Sequence, residues 1–222
     1  MRRELPAALD RAMALRFLGA AGWQPDPRTA ALLDRAEQQV RSAAVPRAVW
    51  RLLPCAALPL QNAGSDLARH LQGCGDVLLL AATLGSGVDT LLRRLELTDI
   101  ALAACADALA SAMLEQICDD WEDEQREQLA AQGRYLTGRF APGYGDCPLA
   151  LNDELCLAVD SVRGCGVAVT PQHLLAPRKS TTALLGVAGH PVTGAPAGCA
   201  TCHLRQTCAY RKQGTTCFAK TT

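Results

Sequence analysis

Asp76-Val-Leu-Leu-Leu-Ala-Ala-Thr-Leu-Gly85 is the stretch on which the fold turns. It is a short apolar run closed by glycine. A run of this length without a polar face reads as a strand buried on both sides that feeds a turn. Downstream, Ser86 and Asp89 form a capping-box-like pair, with Asp in the usual Glu position, and Val88, Leu91, Leu92 and Leu95 supply a helical face. An Ala-rich helix follows from about Thr98 to Gln132 and stops at Gly133. Upstream, Leu9, Met13 and Phe17 share i, i+4 spacing, so a first amphipathic helix precedes Gly19 and Gly22. Asp26-Pro27 reads as an N-cap and first-turn proline, opening a helix with Leu33, Ala36, Val40 and Ala43 on its stripe. Residues 48–60, broken by Pro54 and Pro59, read as a strand entering the core.

Toward the C-terminus, Thr137 to Pro148 is irregular, and Leu151, Leu155 and Val159 mark a short helix. Val167–Thr170 and Ala183–Val187 read as strands around a proline-containing loop, and residues 189–198 as a Gly/Pro linker. Helices and strands mix without strict alternation, which indicates α+β. The expected domains are a body over 1–190, a linker over 191–198 and a cysteine-rich module over 199–222.

The 222 residues are enough to bury a core without disulfides. Lys+Arg and Asp+Glu are equal at 22 each, so there is no basic footprint for nucleic acid and no polybasic run for a lipid surface. Aromatic residues, at 4%, are too few for a base-stacking platform. The start of the chain lacks the apolar core of a secretory signal, and the run from Val77 to Leu84 is too short to span a bilayer. The expectation is a soluble, cytoplasmic protein with no membrane or nucleic-acid partner. Eleven cysteines in such a chain are then not a disulfide framework. Cys105 and Cys118 of the long helix are expected to pack as small hydrophobes.

Four segments could carry chemistry. In Arg139-Phe-Ala-Pro-Gly-Tyr-Gly-Asp-Cys-Pro148, Pro142-Gly143 forces a turn, and Arg139 and Tyr144 flank it. A guanidinium forks onto a carboxylate and a loop glycine admits a ligand to the main chain, which suits an amino-acid-like ligand. On composition alone an ordinary Pro-Gly turn with a surface arginine is the favoured reading, because such turns are common. Pro177-Arg-Lys-Ser-Thr181 places two cations beside hydroxyls on a loop. Thr83-Leu-Gly-Ser-Gly87 lacks the spacing of a phosphate-binding loop and reads as a helix cap. Cys199-x2-Cys202-x5-Cys208-x8-Cys217 gathers four thiols in a segment too poor in apolar residues to fold alone. Tetrahedral zinc and a 4Fe–4S cluster both take four cysteines, and the asymmetric spacing departs from a zinc ribbon toward a cluster.

Thr137-Gly-Arg-Phe-Ala-Pro-Gly-Tyr-Gly-Asp-Cys-Pro-Leu149 resembles the signature of the cobalamin-dependent methionine synthase activation domain family, in the form of its stand-alone members. Leu15-Arg-Phe-Leu-Gly19, Ala81–Gly85, Thr98-Asp99, Asp107–Ala112 with Glu115 and Cys118-Asp119, and Leu174–Ser180 agree with that subgroup, so the resemblance spans roughly residues 10–190. It implies an activation-domain-like α+β fold, an antiparallel or mixed sheet with flanking helices. It also implies S-adenosylmethionine as ligand, with Arg139 on its methionyl carboxylate, Ala141 offering its backbone, Gly143 opening the loop and Tyr144 near the corrin face. Glu115 is the family's helix glutamate if it has a counterpart here; the other family acid, six residues before the arginine, is replaced by Gly133. If Glu115 has no ligand, it belongs with Ser111, Asp119 and Glu122 to a solvated face. Arg178, Lys179 and Ser180 would face the corrinoid.

The implied function is reductive reactivation of a cobalamin-dependent methyltransferase of the methionine synthase type. No Asp-x-His-x-x-Gly cobalamin motif and no homocysteine zinc barrel is visible, so the chain would act in trans, as the activation subunit of the methyltransferase. Its partners would be a corrinoid protein and an electron donor such as a flavodoxin or ferredoxin. The competing reading is a non-catalytic subunit that binds the corrinoid protein and carries a structural zinc tail.

Overall fold

The computed structural model describes residues 1–58, 63–194 and 206–212. Among the described residues one four-stranded sheet, order β1-β2-β6-β3, organises the body, and every pairing in it is antiparallel. β2 (Asp76–Thr83) lies between β1 (Arg47–Pro54) and β6 (Ser180–Ala188), and β3 (Tyr135–Leu136) extends the far side of β6. All seven β2 residues from Val77 to Thr83 are buried, as a strand covered on both faces requires. The antiparallel sheet and flanking helices are the α+β architecture expected from the sequence.

Because side chains alternate along a strand, β2 feeds two cores. Leu78, Leu80 and Ala82 join Leu185 and Val187 of β6 beneath four helices. These are α1 (Arg11–Phe17), α2 (Pro27–Ala43), α4 (Ser86–Thr98) and α5 (Ile100–Ala130). Val77, Leu79 and Ala81 join Leu184 on the opposite face. That face is covered by α3 (Ser65–His70), α6 (Leu151–Ala158), α7 (Ser161–Gly164) and the loops around them.

α5 is the spine of the first core. It starts after Asp99, whose carboxylate accepts the Leu102 N–H at 3.0 Å, and the chain leaves it through Gly133 at φ 69°. Its 31 residues are long and apolar enough to cross a membrane by length and composition, a feature outside the sequence reading. In this fold that apolar surface packs inward. Fifteen of its residues are buried, including Trp121, whose ring lies 5.8 Å from that of Trp50. Cys105 and Cys118 are buried in the same helix, as their spacing-free placement suggested.

Several local expectations are corrected. α1 runs only from Arg11 to Phe17, so Leu9 precedes it and Phe17 is exposed, while Ala14 and Leu15 make the buried contact. A seven-residue helix lying close to α5 uses a small residue at the contact rather than its aromatic. β1 ends at Pro54 rather than running on to residue 60, and it enters the core through Ala48, with Trp50 packed against the same cluster. It is a sheet edge with only Ala48 fully covered, which is where Pro54 is tolerated. The strand foreseen at 167–170 shrinks to a two-residue pairing of β4 (Ala168–Val169) with β5 (Leu175–Ala176). The Ser86/Asp89 capping pair does not form: Gly85 caps α4, and both Asp89 carboxylate oxygens accept the Arg178 N–H, at 3.1 and 3.0 Å.

Of the tail, Cys199, Cys202 and Cys217 lie outside the described residues, and Cys208 precedes a single helical turn, α8 (Ala209–Lys212). The expected linker begins against the body, since Gly194 sits over the His70 ring, with no room there for a Cβ.

Candidate functional site

One polar stripe of α5 positions the site. Asp107, Ser111, Glu115, Asp119, Glu122 and Arg126 recur every three or four residues and so share a face. Both basic segments singled out in the sequence land on it. The chain after β3 runs on beside β6: the Thr137 N–H donates to Gly186 O at 2.9 Å, and Phe140 and Leu184 exchange backbone bonds at 2.9 and 2.8 Å. In this extended stretch side chains alternate. Phe140 therefore falls to the second core, its ring 5.2 Å from His70. Arg139 falls to the α5 side.

There Arg139 Nη2 donates to Glu115 Oε2 at 3.0 Å and to Asp119 Oδ1 at 2.7 Å, and Nε lies 3.5 Å from Glu122 Oε2. The stripe is thus no plain solvated face; three of its acids converge on one guanidinium. Loss of water pushes the Glu115 carboxyl above the ordinary range, Arg139 opposing and Asp119 adding to it. Arg139 Nη1 is buried with no hydrogen-bond partner among the described residues. Cys118 lies within reach of the Arg139 guanidinium, and burial pushes its thiol up to about 12. A thiol kept protonated is a weak acceptor at most, so Nη1 retains unmet donor capacity.

The Lys179 ammonium reaches the same stripe two turns earlier, 2.8 Å from Ser111 Oγ and 2.9 Å from Asp107. Arg178 pairs with Glu96 and Asp107, and Ser180 Oγ donates to Thr83 Oγ1 at 2.8 Å. All three side chains expected to face a corrinoid therefore make bonds within the fold. Those bonds fix the loop between β5 and β6 against α4 and α5.

The rest of the signature loop is a compact turn. Gly143 has φ 88°, a conformation glycine adopts without strain, and its N–H donates to Cys147 O at 3.0 Å. A Cβ on Gly143 would press on Leu149, so the glycine makes room for the loop's own packing as well. Ala141 is half-buried and accepts the Tyr144 N–H, and Tyr144 is exposed. Sequence reasoning assigned no role to Asp146. Its carboxylate accepts Ser65 N–H and Oγ–H, each at 2.7 Å, and Asp66 N–H at 2.9 Å, so it caps α3 from 80 residues away. Asp66 returns the contact by accepting the Asp146 N–H at 3.2 Å. The one local signal for Asp146 is its place after Gly145 in the turn that follows Tyr144. Gly145, at φ 56°, has no room for a Cβ beside the Asp66 carboxylate. Among the described residues no group of three or more His, Cys, Asp or Glu side chains is arranged to hold a metal ion.

The MetH reactivation domain solved with AdoHcy bound superposes on this chain with a TM-score of 0.61 at 16% identity, over 94% of this chain and 82% of that one. The fold is that of the MetH reactivation domain. The resemblance read in the signature loop and the three-dimensional match therefore agree, although so little sequence is shared. No protein-family model matches the chain, and neither does any curated protein.

Proposed function

We propose that this protein binds S-adenosylmethionine at Arg139 and the α5 acids and presents it to the cobalt of a corrinoid carried by a separate protein, reactivating a cobalamin-dependent methyltransferase of the methionine synthase type. The observation that carries the reading is Arg139. A loop of signature sequence sets it over Glu115, Asp119 and Glu122 with a guanidinium nitrogen left unpaired, in a fold shared with a domain solved with AdoHcy. The donor set fits this ligand. A free amino acid end offers a carboxylate to Arg139 and an ammonium to the acids, and one cation among three carboxylates also favours a sulfonium. The bound sulfonium supplies a methyl group to reduced cobalt. The chain's own residues bind and orient: Arg139 fixes the carboxylate, Glu115 and Asp119 hold the positive groups, and Ala141, Gly143 and Tyr144 form the adjoining loop wall.

Arg178, Lys179 and Ser180 act in this reading through the loop they anchor, which would border the docked corrinoid. The partners are that corrinoid protein and a flavodoxin- or ferredoxin-type electron donor. The tail's Cys199, Cys202, Cys208 and Cys217 bind one metal centre, an iron–sulfur cluster in the electron path or a structural zinc. Truncation at Ala195 with metal analysis checks this. Metal retained by the truncated chain would move the ligands to other cysteines.

The deciding experiment is calorimetric titration of S-adenosylmethionine into wild type and Arg139→Ala. Losing a charge-assisted carboxylate contact costs about 1.5–3 kcal/mol, or roughly tenfold to a hundredfold in affinity. Equal affinities would remove Arg139 from the site. Failure of wild type to bind, alone or with a corrinoid protein, would end the methyl-donor role.

A further inference from the structure

Beyond Glu122 the same helix borders a second recess. A cleft of about 510 Å3 lies between the C-terminal ends of α3 and α5, β3 and residues 190–194. Its polar wall is Arg69, Gln72, Arg126, Arg134, Tyr135, His190 and Thr193, and none of the described residues lining it is acidic. Three guanidiniums are thus gathered around one recess. Their acidic partners stand outside the lining: Asp66 for Arg69, Glu122 for Arg126 and Asp76 for Arg134. Each acid engages one terminal nitrogen of its arginine. Arg126 is further fixed by Nη1 on Leu136 O and Nη2 on Thr137 O. These tethers hold the guanidiniums in place and leave other N–H groups of Arg69 and Arg134 without a bond among the described residues. The side chains of Gln72 and His190 likewise form no hydrogen bond among the described residues.

We propose that this cleft is a binding site for a phosphorylated small molecule, independent of the ligand at Arg139. Guanidinium forks match phosphate oxygens two at a time, and the N–H groups of Arg69 and Arg134 that their acids do not engage can donate to them. Pre-positioned cations bind at a lower ordering cost than free ones. The volume lies in the range of small-molecule sites. Tyr135, exposed on the cleft wall, offers a ring face to a planar body attached to the phosphate.

The test is titration of the full chain with inorganic phosphate, adenosine monophosphate and adenosine, at low and at raised salt. Wild type, Arg69→Glu and His190→Glu are compared. Arg69 has one side-chain bond, to Asp66 three residues away, and His190 has none among the described residues, so thermal unfolding should show both variants folded. The expected result is that adenosine monophosphate binds, adenosine does not, raised salt weakens binding, and each charge reversal lowers affinity tenfold or more. If inorganic phosphate binds as tightly as the nucleotide and both variants lose it, the phosphoryl group alone is the ligand and the site stands. Binding unchanged in both variants, or no binding of either phosphate compound by wild type, overturns the proposal.

Discussion

The two faces of the sheet are built by different physics, although one strand supplies both. On the α5 side, regular helices cover Leu78, Leu80 and Ala82, and stability comes from apolar area. On the other side, short helices and loops cover Val77, Leu79 and Ala81, and side-chain to backbone bonds hold them. Buried Asn152 accepts the Thr182 hydroxyl at 2.6 Å and donates to His173 O at 2.9 Å. Ser161 donates to Val167 O at 2.7 Å, and Asp146 caps α3. Long helices bury enough surface to hold themselves in register, whereas chain without regular structure must satisfy its backbone groups one at a time. The signature loop joins the two regimes, with Arg139 on the helical face and Phe140 on the cross-linked one.

Breaking the helical face should have the largest effect. Trp121 is fully buried against Trp50, so Trp121→Ala should cost about 3–5 kcal/mol. Chemical denaturation reads this directly, and a loss below 1 kcal/mol would show that this core does not depend on area. On the opposite face, Asn152→Ala leaves a hydroxyl and a carbonyl unpaired beneath the loop at 170–175, for about 1–3 kcal/mol. Hydrogen exchange should rise in that loop and in α6 before it rises in α5. Exchange rising equally in both would mean the faces form one cooperative unit.

Asp99→Ala removes the cap of α5 and should cost about 1 kcal/mol, with fraying confined to its first turn. The smallest change at neutral pH sharpens the contrast through protonation. Three hydrogen bonds hold the Asp146 carboxyl at about 2, below the ordinary 3.8. A folded value depressed in this way adds stability that is complete above the ordinary value and is lost as pH falls toward 2. Acid should therefore loosen the α3 end of the second face first. Asp146→Asn should be less stable than wild type at neutral pH, and the gap should close as pH falls toward 2. A gap that stays constant with pH would take Asp146 out of the acid response.

Legibility in the sequence followed the same division. The buried strand at 76–84, the Asp26-Pro27 cap and the limits of the long helix follow from periodicity and capping chemistry, and each forms within a few residues of where it was read. Arg139 and Glu115 were both singled out, and the fold brings them to 3.0 Å. The convergence of Asp119 and Glu122 on the same guanidinium was not legible. It depends on which way the chain after β3 alternates, and a shift of one residue would exchange Arg139 with Phe140. Asp89 likewise satisfies local capping spacing yet serves the Arg178 N–H, because the loop before β6 offers that donor across the fold.

By itself the sequence determined the elements that bury their own surface and singled out the loop from Arg139 to Pro148 as a candidate, since both follow from neighbours along the chain. The tertiary structure decided what those residues meet. It put three acids on one arginine, tied the Pro177–Ser180 loop to α4 and α5, set Asp146 at the head of α3, and gathered Arg69, Arg126 and Arg134 around one cleft. Every one of these contacts joins different parts of the chain. They come together only when the antiparallel sheet and the packing of α5 bring distant segments to one place, and no local spacing rule carries that information.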